Sequence, residues 1–397
     1  MTSTPGVPGF LAGGLASGIK KRGAKDLALI FCPGGATVAG VFTTNRIQSP
    51  AVRLSRERAT RGRARAILVN SGCANTYTGA AGEKDARSIG RYAARLLDVG
   101  EEEILQSSTG VIGSRLPLSV IRRGLPRLVD DLSPGGFADA AEAILTTDTH
   151  AKIATRLGRL PGGAVRLLGI AKGAGMVEPH MATMLVYLAT NARIGAPLLR
   201  RLLRDACDTT FNSLTIDGCM STSDTVVIMA SGEGHRETLK PGSGATRRFF
   251  KMLQEVCADL ATQLVSDGEG ATKRVTVAVR GAHSDGDARA AAYAVANSLL
   301  VKTAIHGADP NWGRIIQALG AAPVRLAPDR ISIKIGAAAI LRRGRYAGAA
   351  VEARARRVMQ GHAYTLLVDL GLGRGGAEVL TCDLSEAYIR INASYRT

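Results

Sequence analysis

Short runs of alternating or continuous apolar residues, each closed by Gly, Pro, Ser, Thr or Asn, recur along the chain and predict β-strands. They fall at DLALIFC (26–32), TVAGVFTT (37–44), RAILVNS (65–71), AVRLLGIAK (164–172), TMLVYLAT (183–190) and DTVVIMAS (224–231). Further runs are RVTVAVRG (274–281), RISIKIG (330–336), YTLLVDLG (364–371) and the C-terminal AEVLTCDLSEAYIRINA (377–393). Stretches with apolar residues three and four apart predict amphipathic helices over 83–99, 117–129, 137–147, 196–210, 247–267 and 287–305. Such a mixture predicts an α/β protein whose sheets are covered by helices. Loops are rich in Gly, Ser, Thr and Asn up to about residue 275, and beyond it strand and helix alternate more plainly. A boundary is expected there, dividing a main domain (1–275) from a smaller one (276–397).

Composition supplies the core that this pattern requires: the chain has 397 residues, 46% of them hydrophobic. No apolar run approaches the roughly 18–20 residues of a membrane span. The weak apolar patch near the N-terminus is followed, not preceded, by positive charge, unlike a secretory signal, so a cytoplasmic protein is expected. Six cysteines (Cys32, Cys73, Cys207, Cys219, Cys257, Cys382) are scattered without a C-x-x-C pair, which indicates reduced thiols and no zinc site. The net charge of +18 raises the question of nucleic acid. Arginines are spread from Arg46 to Arg396 and aromatics make up only 4%, so the stripe of a nucleic-acid binder is missing and none is expected as a partner.

Candidate chemistry narrows by elimination. VDLGLGRGG carries G-x-G-x-x-G at Gly371, Gly373 and Gly376, but another strand follows where a dinucleotide fingerprint needs a helix, so a hairpin turn is predicted. No G-x-S-x-G occurs, and none of the six histidines has metalloprotease spacing. More informative is KGAGMVEPHMATMLVYLAT (172–190), where a glycine-rich loop, expected to be flexible, runs straight into a strand opening with Thr183. A threonine hydroxyl is a weak nucleophile unless a base stands beside it, and its own free α-amine, titrating near about 7.7–8.0, can serve. That requires a cut between Ala182 and Thr183. On these residues alone two readings stay open: self-cleavage, or a threonine that opens a strand after a Gly/Pro loop.

A second constellation adds to the first. Ser107-Ser108-Thr109-Gly110 offers hydroxyls and backbone N–H groups in what reads as a turn ahead of a helix near Pro117, the composition of an oxyanion hole. The polar segments TTDTHAK (146–152), FNSLTIDG (211–218), STSDT (221–225), SDGEGATK (266–273), HGADPNWGR (306–314) and the tail RINASYRT lie between apolar strands, where site-lining loops belong.

Together, GFLAGGLASGIKKRGAKDLALIF, VFTTNR, VNSGCAN, STGVIG, TTDTHAK, KGAGMVEPHMATML, FNSLTIDG, SDGEGATK, HGADPNWGR and RINASYRT, in that order, resemble the ornithine acetyltransferase family, also called glutamate N-acetyltransferases. The resemblance spans nearly the whole chain. It implies a layered αββα-type sandwich built from both products of self-cleavage, an α chain (1–182) and a β chain (183–397), plus a smaller C-terminal α/β domain whose tail closes the site. It also implies an α2β2 heterotetramer, Thr183 as nucleophile, and Thr109 and Gly110 as oxyanion donors. Substrate contacts are implied at Thr149, Lys172, Thr183, Glu269, Asn392 and Thr397. No cofactor and no metal is implied, with acetyl-CoA open as a second acetyl donor. The implied reaction is acetyl transfer from N2-acetyl-L-ornithine to L-glutamate; an amidohydrolase or aminopeptidase using the same nucleophile is the alternative. Cys73, His180, Cys219 and Met220 depart from the family's usual residues, and they bear on substrate preference and cleavage rate, not on the nucleophile.

Overall fold

The computed structural model describes residues 6–178 and 184–394. The chain begins with β1 (Leu11–Leu15), β2 (Leu27–Phe42), α1 (Pro50–Thr60), β3 (Arg63–Cys73), α2 (Gly79–Leu97) and β4 (Ile104–Val111). It continues through α3 (Leu118–Asp130), α4 (Phe137–Ala143), β5 (Lys152–Leu160) and β6 (Gly163–Lys172). Next come β7 (Leu185–Thr190), β8 (Arg193–Ile194), α5 (Ala196–Thr209), β9 (Thr225–Ala230), β10 (Thr238–Leu239) and α6 (Gly244–Ser266). Among the described residues, eight of these strands form one sheet in the order β4-β3-β2-β9-β7-β6-β5, with β1 added on β2, while β8 and β10 pair separately.

Strand β2 explains how one sheet makes two layers. Its first half pairs with β3 and β1, the register shifts between Phe31 and Ala36, and its second half pairs with β9 from Thr37 to Phe42. Because successive side chains point to opposite faces, Leu27 and Leu29 pack outward with Ile89 and Ala93 of α2 and Ile121 and Leu125 of α3. Ala39 packs with Leu199 of α5 and Phe249 and Val256 of α6. Between them, Ala28, Ile30 and Val38 share an inner core with Ile67, Tyr187, Val227 and Met229. The sheet therefore folds over at β2, and the layers run helix, sheet, sheet, helix. Leu199, Phe249 and Val256 are fully buried, and each such side chain contributes roughly 1.5–3 kcal/mol.

A second sheet holds the rest: β11 (Arg274–Ala282), α7 (Asp285–Asn297), α8 (Leu299–His306), α9 (Trp312–Gly320), β12 (Ser332–Ile335), β13 (Ala338–Arg342), β14 (Arg345–Tyr346), α10 (Ala349–Met359), β15 (Ala363–Asp369), β16 (Gly375–Cys382) and α11 (Glu386–Ser394). Its order is β14-β13-β12-β15-β11-β16. Val275, Val277, Val279, Leu366 and Val368 face α7 in a separate core, while Arg280, Lys334 and Thr365 alternate with them on the exposed face.

Three expectations need correction. Residues 377–393 are not one strand: β16 ends at Cys382 and α11 follows, a helix with no buried residue and hence no apolar stripe to betray its period. The stretch 287–305 is two helices, because Ser298 turns to ψ 115° and its hydroxyl caps α8 by accepting from Val301 N. The glycine-rich turn after β15 is no hairpin, since β15 and β16 lie on opposite sides of β11. It arches over the end of β11, with Leu372 and Gly373 donating to Gly281 O.

Candidate active site

A cavity of about 170 Å³ opens where the two layers meet, lined by Thr109, Gly110, Lys172, Asp217, Glu269 and Asn392 among others. Thr109 and Gly110 come from β4, and here the expected turn is replaced by strand. Residues 107–110 continue β4, parallel to β3, with Thr109 opposite Ser71 and Gly110 opposite Gly72. The run Ile104-Leu105-Gln106-Ser107-Ser108-Thr109 is buried throughout, so its hydroxyls are interior groups at a strand end. Gly110 has φ +124°, and a Cβ there would stand 2.4 Å from the Gly72 carbonyl carbon. Only glycine can bring the chain this close to β3.

Lys172 ends β6, opposite Leu185 of β7. Its side chain is 2% exposed, and Nζ donates to Thr109 Oγ1 at 3.3 Å. No carboxylate lies within ion-pair distance of it among the described residues. Burial pushes the Lys172 ammonium below its usual pKa, with Asp148 opposing. For Asp148 burial acts upward, but the charges of Lys172 and Lys152 prevail and hold it down at about 2. Asp148 accepts from Lys152 Nζ and from Gly173 N, each at 2.7 Å.

The glycine-rich segment after Lys172 is held, not flexible. Met176, at φ +57°, donates its N–H to Asp217 Oδ2 at 2.5 Å, and Val177 donates to Oδ1 of the same carboxylate at 2.8 Å. Val177 is fully buried and accepts from Ile216 N. Glu269 N donates to Ala174 O at 2.7 Å. Gly175 allows this approach, because a Cβ on it would sit 2.5 Å from the Glu269 carboxyl carbon. Asn392 Nδ2, on α11, donates to Glu269 Oε2 at 2.6 Å, and Tyr388 OH meets Asp217 Oδ2 at 3.2 Å. One loop thus joins the β6 end to the C-terminal helix through two carboxylates.

Of the residues singled out in the sequence, Thr109, Gly110, Lys172, Glu269 and Asn392 come together at this cavity. Ala182, Thr183, His180 and Thr397 lie outside the described residues. Thr149 is exposed and gives its hydroxyl to Asp267, while Thr146 and Thr147 of the same segment line the cavity. Asp267 in turn receives the buried Lys152 ammonium at 2.5 Å. Cys219 lines the cavity, and Cys73 is buried with its Sγ 3.2 Å from Ser114 O. HGADPNWGR is away from the cavity and joins α8 to α9; there His306 Nδ1 meets Asp383 Oδ2 at 2.7 Å and the Asn311 side chain caps α9. Sequence reasoning missed the roles of Asp148, Asp217 and Tyr388. An acid beside glycine or threonine in TTDTH and TIDG was the signal available.

An αββα sandwich that carries a cation, buried hydroxyls and a strand with glycine near its end at one cavity defines the class. Its relatives agree along the full length. The profile of the ArgJ family matches residues 11–397, and the chain belongs to that family. It is 46% identical over 391 residues to the arginine biosynthesis bifunctional protein ArgJ of Geobacter sulfurreducens, covering 98% of this chain and 100% of the relative. Identity to the ArgJ protein of Chlorobaculum tepidum is also 46%, over 98% of this chain and 96% of that one. A crystal structure of the ArgJ protein from Bacillus halodurans is 40% identical, covering 53% of this chain and 98% of its own, with TM-score 0.50.

Proposed function

We propose that the protein moves an acetyl group from N2-acetyl-L-ornithine to L-glutamate in arginine biosynthesis, by a ping-pong route through acetyl-Thr183. The observation that carries this is the Lys172–Thr109 pair: a buried ammonium that, among the described residues, has one hydroxyl as its direct partner at 3.3 Å. Buried charges are normally paired, so this one is incomplete until an anionic group or a developing oxyanion arrives. Gly110, the penultimate residue of the strand beside it, supplies a backbone N–H for the same charge. The names of the ArgJ relatives place those proteins in arginine biosynthesis, which supports this reading.

In this reading the precursor first cuts itself between Ala182 and Thr183, giving chains 1–182 and 183–397. Thr183 Oγ then attacks the acetyl carbonyl, the freed α-amine takes the Oγ proton, and that proton leaves with ornithine. Thr109 and Gly110 stabilise the tetrahedral oxyanion. Glutamate's amine attacks the acetyl-enzyme in the second half-reaction. Lys172 holds charge next to Thr109, while Glu269, with Asn392, faces the amine-bearing end of the substrate; Thr149 and Thr397 are further substrate contacts. No cofactor is required because acetyl passes between amides, and acetyl-CoA is a second donor to be tested. The two chains assemble as an α2β2 tetramer in the cytoplasm, with the main body at 1–275 and the smaller domain at 276–397. Support for the cut comes from the Bacillus halodurans chain, which matches over 98% of itself yet only 53% of this chain, and so is about half as long.

Intact mass and denaturing electrophoresis of the wild type and Thr183→Ala provide the test. Two fragments from the first and one uncut, inactive chain from the second are expected. A wild type that stays whole and still transfers acetyl would sink the mechanism. Release of acetate from acetylornithine without glutamate at the full rate would point to a hydrolase instead.

A further inference from the structure

Asp224 is fully buried, immediately before β9, and plays no part in the mechanism above. Strands β7 and β9 run parallel with Leu185 opposite Thr225, which sets Asp224 beside Met184. Its Oδ1 accepts from Met184 N at 2.8 Å, while Thr225 N donates to Met184 O at 3.1 Å. Met184 is therefore gripped on both sides of its peptide, once by a side chain and once by the ladder. The neighbouring Thr43 hydroxyl is committed to Ser221 O at 2.8 Å, and Asp224 Oδ2 has no hydrogen-bond partner among the described residues.

A fully buried carboxyl is costly, and such groups persist where they do something that a cheaper residue cannot. β7 could open with a Met184 N–H held by any acceptor, yet an acid stands there, one peptide from Thr183. Burial raises the Asp224 carboxyl well above the usual carboxylate range, against the opposing pull of the Met184 N–H, Lys172 and the nearby Thr43 hydroxyl. The group is thus a buried acid at the start of the strand that follows Thr183.

We propose that Asp224 is a positioning residue for the Ala182–Thr183 junction: as a buried acceptor it fixes the Met184 amide, and through that amide the residue whose hydroxyl must face the bond to be cut. This rests on the self-cleavage reading above. Asparagine keeps an acceptor at Oδ1, glutamate keeps the acid but displaces it, and alanine removes both. The precursor of each variant is followed by intact mass from the moment of synthesis, with a thermal melt as the check on folding. Asp224→Asn is expected to process within about threefold of the wild type, and Asp224→Ala and Asp224→Glu about tenfold or more slowly, as the loss of one buried hydrogen bond implies. If alanine fails to fold, the asparagine and glutamate arms decide. Equal processing by asparagine and glutamate, or processing of the alanine variant at the wild-type rate, overturns the proposal. An uncut wild type overturns the underlying reading instead, so the two failures are told apart.

Discussion

Lys172 Nζ and Thr109 Oγ1 meet at 3.3 Å across the seam of the folded sheet, one from the end of β6 and the other from the end of β4. Neither strand neighbours the other in the sheet, so the pair exists only because β2 bends the sheet onto itself. Replacing Lys172 by methionine keeps the bulk and removes the charge. Acetyl transfer is expected to fall about a hundredfold or more, while the melting temperature at neutral pH holds or rises because a desolvated cation is gone. The sign with pH follows from its depressed pKa: between that value and 10.5 the unfolded chain binds more protons than the folded one. Wild-type stability therefore gains with rising pH in that window. Denaturant titrations should find this gain missing in Lys172→Met.

Asp148 has the same sign with pH, because its pKa is also depressed, but here it is the charged form that stabilises the fold. Its carboxyl is held at about 2 against a usual 3.8, so its contribution is complete above 3.8 and is lost as pH falls through 2. Asp148→Asn should lower stability by about 2 kcal/mol at neutral pH. Urea unfolding from pH 5 downward should show the two proteins converging.

Gly110 stands at φ +124° with the Gly72 backbone against it. Alanine there must either clash with β3 or pull β4 away. A loss of about 3 kcal/mol or more is expected, read as a lower denaturant midpoint together with lost transfer activity.

Tyr388 links α11 to the loop before Thr183 through Asp217. Since α11 buries no residue, Tyr388→Phe should change the denaturant midpoint by less than about 1 kcal/mol. KM for acetylornithine should nonetheless rise severalfold, which steady-state kinetics can check. An unchanged KM would remove α11 from substrate binding.

How far the sequence could be read depended on which face each element buries. β3, β7 and β9 are buried on both faces and announce themselves as apolar runs. β5 was missed because it alternates Thr155, Arg156, Gly158 and Arg159 along a sheet edge. α1 was hidden in an arginine cluster, although Arg58 is itself buried and donates to Ile104 O. Among the site residues, motifs pointed to Lys172, Thr109, Gly110, Glu269 and Asn392. The acids that hold the site lie far from their partners in sequence: Asp217 grips residues 41 and 40 positions away. Asp26 collects N–H groups from Ser17, Gly18, Ile19 and Lys20 in a turn whose shape no local pattern reveals.

The strand order also decides what a nick after Ala182 leaves behind. Reading across the sheet, β4, β3 and β2 come before that point in the chain, β9 and β7 come after it, and β6 and β5 come before it again. The two later strands are dovetailed between earlier ones and hydrogen-bonded on both flanks. A severed backbone would therefore set neither piece free. The halves would melt together as a single unit, and either half made alone would lack the neighbours that complete its sheet.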